Sequence, residues 1–226
     1  MKYSGQAFTF YRACWWLGFC LAKLLFRLKI QGAHQVPPRG GVIFASNHVS
    51  FIDPAFIGVA AVRELFYVTK RESLGVPGLG RLLTSLNAIP IDRSRGDRGA
   101  LSAYEGILVE GGAIYIAPEG TRNKKDTFLD PKPGAGLLVY RTGVPVVPVY
   151  VGGTMSIVKC LLGLETVTLR FGDPVTYDRS RFGDPSRFGG ARKDIYRAIS
   201  LDIMARIQEL KQGRPNAGAA NPASSV

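Results

Sequence analysis

His48 and Asp53 stand five residues apart in "SNHVSFIDP", residues 46–54, directly after the apolar run "GGVIFA". An imidazole that donates from one nitrogen to a carboxylate is held in a single tautomer, and its other nitrogen can accept a proton from a hydroxyl. Such a pair is a general base with its orienting acid, without a protein nucleophile. On a continuous helix the two positions lie about 140° apart, so they meet only if a turn brings the chain back. Pro54 suits the first position of a helix and Asp53 its N-cap, which predicts a strand, His48, a tight turn through residues 49–52, and then a helix. The motif alone equally fits a plainer arrangement, in which Asp53 only caps the helix and His48 is a satisfied turn residue. Ser50 reads as part of the turn, since no G-x-S-x-G elbow occurs anywhere. His34 is the only other histidine, so a histidine metal site is not expected.

Three further stretches place charge just past an apolar run. "AIPIDR" ends in Asp92 and Arg93, "IAPEGTRN" carries Glu119, Gly120, Thr121 and Arg122, and "YVTKRE" carries Lys70 and Arg71. A guanidinium offers a planar fork to phosphate oxygens, and Gly120 with Thr121 can present backbone N–H groups and a hydroxyl beside it. Lys132 in "PKPGAG" adds a cation in front of an expected helix start. Taken singly, each cation is an ordinary solvated residue; together they repeat one placement.

Those placements need a scaffold. The segments "GVIFAS", "ELFYVTK", "AIPID", "AIYIAP", "VPVVPVYV" and "TVTLRF" have strand length, and several are apolar at every position. Helices are expected from Pro54, near Leu79, near Gly99 and near Gly134. The last helix, "ARKDIYRAISLDIMARIQELKQG", spaces Ile195, Ile199, Ile203 and Ile207 along one face and stops at Gly213. The pattern is that of a single α/β domain, a mixed, largely parallel sheet covered by helices on both sides, with strand ends gathered along one rim.

At 226 residues and 46% hydrophobic content the chain can bury one full core. Its formal charge of +12 points to an anionic partner: a phospholipid surface, a phosphorylated substrate or nucleic acid. The aromatic residues gather in the apolar N-terminus rather than among the cations of the body, which argues against nucleic acid. Cys14, Cys20 and Cys160 lack metal-ligand spacing and read as reduced thiols of a cytoplasmic environment.

Residues 1–33 contain no acid, and only ten uncharged residues separate Arg12 from Lys23, too few to span a bilayer core that needs about 20. Arg12, Lys23 and Arg27 share one stripe of a helix there, and Trp15 and Trp16 suit the headgroup boundary. The reading is an interfacial helix or helix pair lying on the membrane, with a core helix packed on the domain or a tilted span with snorkelling lysines as the alternatives. Residues 34–212 would form the domain proper, and residues 213–226, "GRPNAGAANPASSV", a disordered tail.

In order and spacing, "NHVSFIDP", "AIPIDR", "APEGTRN" and "GVPVVPVYV" resemble the four blocks of the glycerolipid acyltransferase family typified by lysophosphatidic acid acyltransferase, over about residues 36–175. The resemblance implies transfer of an acyl group from acyl-CoA or acyl carrier protein to a lysophospholipid hydroxyl, without a cofactor or metal. It implies His48 as general base and Asp53 as its partner. Arg93, Glu119, Gly120 and Arg122, with Thr121 and Lys70 as further contacts, would hold a phosphorylated acceptor. The partners are then a phospholipid surface, the acceptor and the thioester donor, and the location a monotopic or peripheral one on the cytoplasmic face of a membrane. Ala117 departs from the family, which commonly has an aromatic there. Two other readings compete: another acceptor, such as a lyso-ornithine lipid or glycerol 3-phosphate, and a non-catalytic basic membrane-binding module.

Overall fold

Runs of branched and aromatic residues without polar interruption become strands covered on both faces. All five residues of β2 (Val42–Ser46) are buried. Val42 and Phe44 enter one helical layer, while Ile43 and Ala45 enter the other. The computed structural model describes residues 5–91, 98–125, 127–177 and 192–214. Within them β1 (Lys29–Gln31), β2, β3 (Leu65–Lys70), β4 (Ala88–Ile91), β5 (Ala113–Ile116), β6 (Val146–Gly152) and β7 (Thr168–Phe171) form one sheet, in the order β1-β7-β6-β2-β5-β3-β4. Every neighbouring pair is parallel except β6 and β7. The mixed, largely parallel α/β sheet expected from the sequence is therefore present, and all six predicted strands lie in it. β1 was not expected; it falls at the end of the stretch read as membrane-associating.

One face of the sheet carries α1 (Gly5–Phe26) and α2 (Asp53–Ala61). The other carries α5 (Arg98–Val109), α6 (Pro133–Thr142) and α8 (Arg192–Lys211). Three short helices, α3 (Arg71–Leu74), α4 (Leu79–Ser85) and α7 (Ile157–Leu161), fill connections. In α8 the expected isoleucine stripe is core: Ile195, Ile199, Ile203 and Ile207 are each at most 1% exposed. Each contributes about 1.5–3 kcal/mol of burial. α8 lies close on α6 because Gly136 faces the Tyr196 carbonyl, where any Cβ would collide. The buried Ser200 hydroxyl accepts from Gly136 N–H (2.9 Å) and donates to Lys132 O (3.0 Å), so the contact leaves no polar group unpaired at that serine.

α1 is half core and half surface. Tyr11 accepts from Leu65 N–H (3.1 Å), and Trp15 Nε1–H donates to Gly58 O (3.1 Å). Gly18 lies against Val59, Ala22 is buried, and Phe26 meets Phe56 edge to face at 5.3 Å. Spacings of three and four put these five residues on one side of the helix. The opposite side exposes Trp16, Leu17 and Leu24. Arg27 does not continue the expected cationic stripe. It follows the helix at φ 48°, and its Nη1–H donates to Gly163 O (3.1 Å). The described residues contain one N-terminal helix, and no helix among them is long and apolar enough to cross a membrane. The expected tail falls almost wholly outside the described residues.

Candidate active site

β2 ends at Ser46, and the chain leaves the sheet at the C-terminal edge of the parallel strands, where α/β folds place their sites. Asn47 still behaves as a strand residue through its side chain. Its Nδ2–H donates to Val151 O and its Oδ1 accepts from Val151 N–H, both at 2.8 Å, which ties the first motif to the end of β6. The turn through Val49–Ile52 then returns Asp53 to the imidazole. His48 Nδ1 lies 3.0 Å from Asp53 Oδ2, with Asp53 fully buried and the His48 side chain 20% exposed.

Asp53 is not an N-cap. It is the first residue of α2, preceded by Ile52 at the cap position, where no side chain caps the helix. Instead of reaching forward to helical N–H groups, the carboxylate reaches back. Oδ2 accepts from Val49 N–H and Ser50 N–H at 2.8 Å each, and Oδ1 accepts from Thr154 Oγ1–H at 2.7 Å. With Nδ1–H of His48 this gives the buried acid four donors, enough to keep a charge inside the protein satisfied. Pro54 therefore occupies the second position of the helix rather than the expected first, still within the first turn, where its missing N–H costs nothing.

With Nδ1–H directed at Asp53, Nε2 carries the lone pair, and among the described residues no hydrogen-bond partner engages it. Tyr115, from β5, places its hydroxyl 3.3 Å from Nδ1 and 3.4 Å from Ser46 Oγ. Burial, and then the negative charge of Asp53, push the Tyr115 phenol well above its ordinary range, so it remains an O–H group. Nothing about Tyr115 in "AIYIAP" separated it from a strand aromatic. Thr154 was missed too, although it lies just beyond the fourth motif.

The third motif joins this centre through its backbone. Asn123 N–H donates to His48 O at 2.7 Å, and the buried Asn123 side chain holds its own loop by donating to Thr127 O (2.5 Å) and accepting from Lys125 N–H (3.0 Å). Glu119 is 3% exposed, and its Oε2 has no partner among the described residues. Burial is the main reason its carboxyl is pushed up to about 7, against the pull of the Leu129 N–H. Gly120 turns at φ +67° with the Lys132 side chain packed where a Cβ would sit, so the Lys132 ammonium is brought beside the motif at the start of α6. Thr121 and Arg122 are exposed next to it. Lys70 ends β3 on the same edge of the sheet and pairs in register with Ile91. Arg93 lies outside the described residues. A cavity of about 70 Å³ opens beside Val49, lined in part by Glu119, Asn123, Lys125 and Met155.

Catalytic constellations of this kind recur on unrelated scaffolds, so comparison with known proteins is informative. The 1-acyl-sn-glycerol-3-phosphate acyltransferase of Limnanthes douglasii is 34% identical over 130 residues, 56% of this chain and 46% of that protein. The human 1-acyl-sn-glycerol-3-phosphate acyltransferase alpha is 31% identical over 126 residues, covering 54% and 44%. This chain spans about half the length of these relatives. A crystal structure of the 1-acyl-sn-glycerophosphate (LPA) acyltransferase PlsC from Thermotoga maritima superposes with a TM-score of 0.63 over 89% of this chain and 81% of that one. At 22% identity it shares the fold. The acyltransferase family pattern matches residues 27–152, more than half of the chain and the whole stretch from β1 through the His48 turn to the end of β6, and on that match the protein belongs to the acyltransferase family.

Proposed function

We propose that this protein moves a fatty acyl group from a thioester, acyl-CoA or acyl carrier protein, to the free hydroxyl of 1-acylglycerol 3-phosphate, giving phosphatidic acid. The observation that carries this reading is the His48–Asp53 contact at 3.0 Å, with the acid buried and the imidazole still accessible. His48 Nε2 takes the proton of the acceptor hydroxyl while its oxygen attacks the thioester carbonyl. The tetrahedral intermediate collapses by breaking the C–S bond, and the departing thiolate receives the proton from Nε2. Asp53 keeps the tautomer and offsets the charge of the imidazolium formed in between. A thioester is already activated, so alignment and a base suffice, without a covalent serine or a bound cofactor.

Glu119, Gly120, Thr121, Arg122, Lys70 and Arg93 are assigned to the acceptor headgroup, with Lys132 beside them. Clustered cations at one sheet edge favour a phosphate over a neutral headgroup. The acceptor is drawn from a bilayer on which the protein rests without spanning it. Purified protein with labelled acyl-CoA and acyl carrier protein should consume 1-acylglycerol 3-phosphate in preference to glycerol 3-phosphate and lyso-ornithine lipid. Consumption of phosphate-free acceptors alone would refute the headgroup assignment, and turnover by His48→Ala would refute the base.

A further inference from the structure

Scattered exposed apolar residues are normal on a soluble surface, but a concentration of them is informative. Eighteen large apolar side chains are exposed among the described residues, and thirteen of them fall on three elements: five on α1, three on residues 76–85 ending in α4, and five on residues 155–164 around α7. α4 and α7 both pack against α1. The C-terminal end of α1 is joined to the α7 region by Arg27 Nη1–H to Gly163 O and by Val167 N–H to Phe26 O (both 3.1 Å). α1 runs from β3, held through Tyr11 and Leu65, to Val167, the residue before β7, at its other end. The three helices are thus neighbours on one side of the molecule.

We propose that α4 and α7 are two further membrane-contacting elements beside α1, and that the three together seat the protein on an anionic bilayer. The proposal rests on the reading that the acceptor is drawn from a membrane. In α7 and the residues after it, Val158 (65%), Leu162 (69%) and Leu164 (72%) stand out into solvent. In α4, Leu79 and Leu82 do the same. Residues 5–26, 76–85 and 155–164 contain no acid, yet carry Arg12, Lys23, Arg81 and Lys159. Lys159 reaches the first acid beyond them, Glu165, at 3.5 Å.

Apolar faces dotted with cations, with the Glu165 carboxylate only at the margin of the third, complement lipid phosphates. They do not complement a second copy of themselves, because a two-fold contact would oppose like charges. Phe51, 72% exposed in the turn between His48 and Asp53, carries the same character to the edge of the site. Contacts on both flanks of α1 restrict how the body can tilt, which a single surface helix does not.

The test uses the full chain and sedimentation with vesicles of phosphatidylglycerol and phosphatidylcholine, or of phosphatidylcholine alone. The pairs Leu161→Glu with Leu162→Glu, and Leu79→Glu with Leu82→Glu, should each weaken partitioning to the anionic vesicles by at least about tenfold, because each pair forfeits burial of two leucine side chains. Val109→Glu and Leu201→Glu, exposed elsewhere, should bind as the parent does. Wild-type binding by both leucine pairs would leave α1 alone as the anchor and overturn the proposal. A shift from dimer to monomer with unchanged vesicle binding would overturn it in favour of self-association.

Should either pair fail to fold, a spin label at Leu162→Cys in a Cys14→Ala, Cys20→Ala background gives an independent reading. More collisions with oxygen than with a water-soluble nickel chelate support the proposal, and the reverse refutes it. Turnover of a short-chain acceptor dispersed in water separates the two readings: both leucine pairs should retain it, whereas His48→Ala should lose it and still bind vesicles.

Discussion

Asp53 and Glu119 are both carboxylic acids buried at the same sheet edge, yet their surroundings differ in kind. Asp53 is saturated by the chain's own donors: two backbone N–H groups, the Thr154 hydroxyl and the His48 imidazole. Glu119 keeps one oxygen without a partner among the described residues, and its carboxyl is held up at about 7. A saturated acid is finished before any ligand arrives, so it can orient a base without rearranging. An unsaturated one is open to a donor from a bound molecule. On the proposed function, the first acid belongs to the part of the edge that prepares the chemistry and the second to the part that receives a molecule.

The sharpest way to break that division is to remove the base. His48→Ala should lower kcat by about 10²- to 10⁴-fold while leaving the thermal transition close to the parent value. Asp53→Asn should cost a similar factor, about 10²- to 10⁴-fold, because an amide no longer fixes the imidazole tautomer. A mutant with near-normal kcat would make Asp53 a purely structural residue.

Thr154→Val keeps shape but deletes the donor to Oδ1. It should lower kcat roughly tenfold with KM little changed and destabilise the fold by about 1–3 kcal/mol in denaturant titrations, with Thr154→Ser restoring both. The smallest effect concerns Glu119. Its carboxyl keeps a proton in the folded state up to about 7, whereas the unfolded chain releases it near 4.5. The folded state therefore binds more protons between those values, and stability declines as pH rises through that window. In Glu119→Gln this decline should be shallower in a series of melting curves. Identical pH profiles would mean that Glu119 is already ionised in the folded protein.

Much of this arrangement was legible from residue pattern. "GVIFAS" and "AIYIAP" are apolar at nearly every position, and a strand buried on both faces is the outcome that pattern requires. Ile195, Ile199, Ile203 and Ile207 likewise allow only one buried stripe. What escaped notice was set by partners distant in sequence. Asp53 followed by proline carries every mark of a helix cap; the return of its carboxylate to His48 was expected from the turn, but the Thr154 hydroxyl that holds it from about a hundred residues away was not. Asn123 acts through a backbone N–H, which its side chain does not advertise. β1 has only three residues and, among the described residues, pairs with β7 alone, so no periodicity could mark it. α1 showed its apolar character but not its division of labour, because Trp15 and Trp16 look alike until Gly58 engages one of them.

The reversal between β6 and β7 has a consequence for geography. In a uniformly parallel sheet the chain leaving β6 would have to travel back to the opposite edge before entering the next strand, and the intervening helix would lie flat against the sheet as lining. Because β7 runs the other way, its entrance is on the edge where β6 ends. The whole excursion from Gly153 to Val167 therefore stays at the end of the molecule where His48 emerges, and α7 is free to show leucines to the outside. One strand's direction thereby puts the outward leucines of α7 and the His48 turn on the same shore, so that, were the proposed acceptor to enter beside α7, it would have little distance to climb.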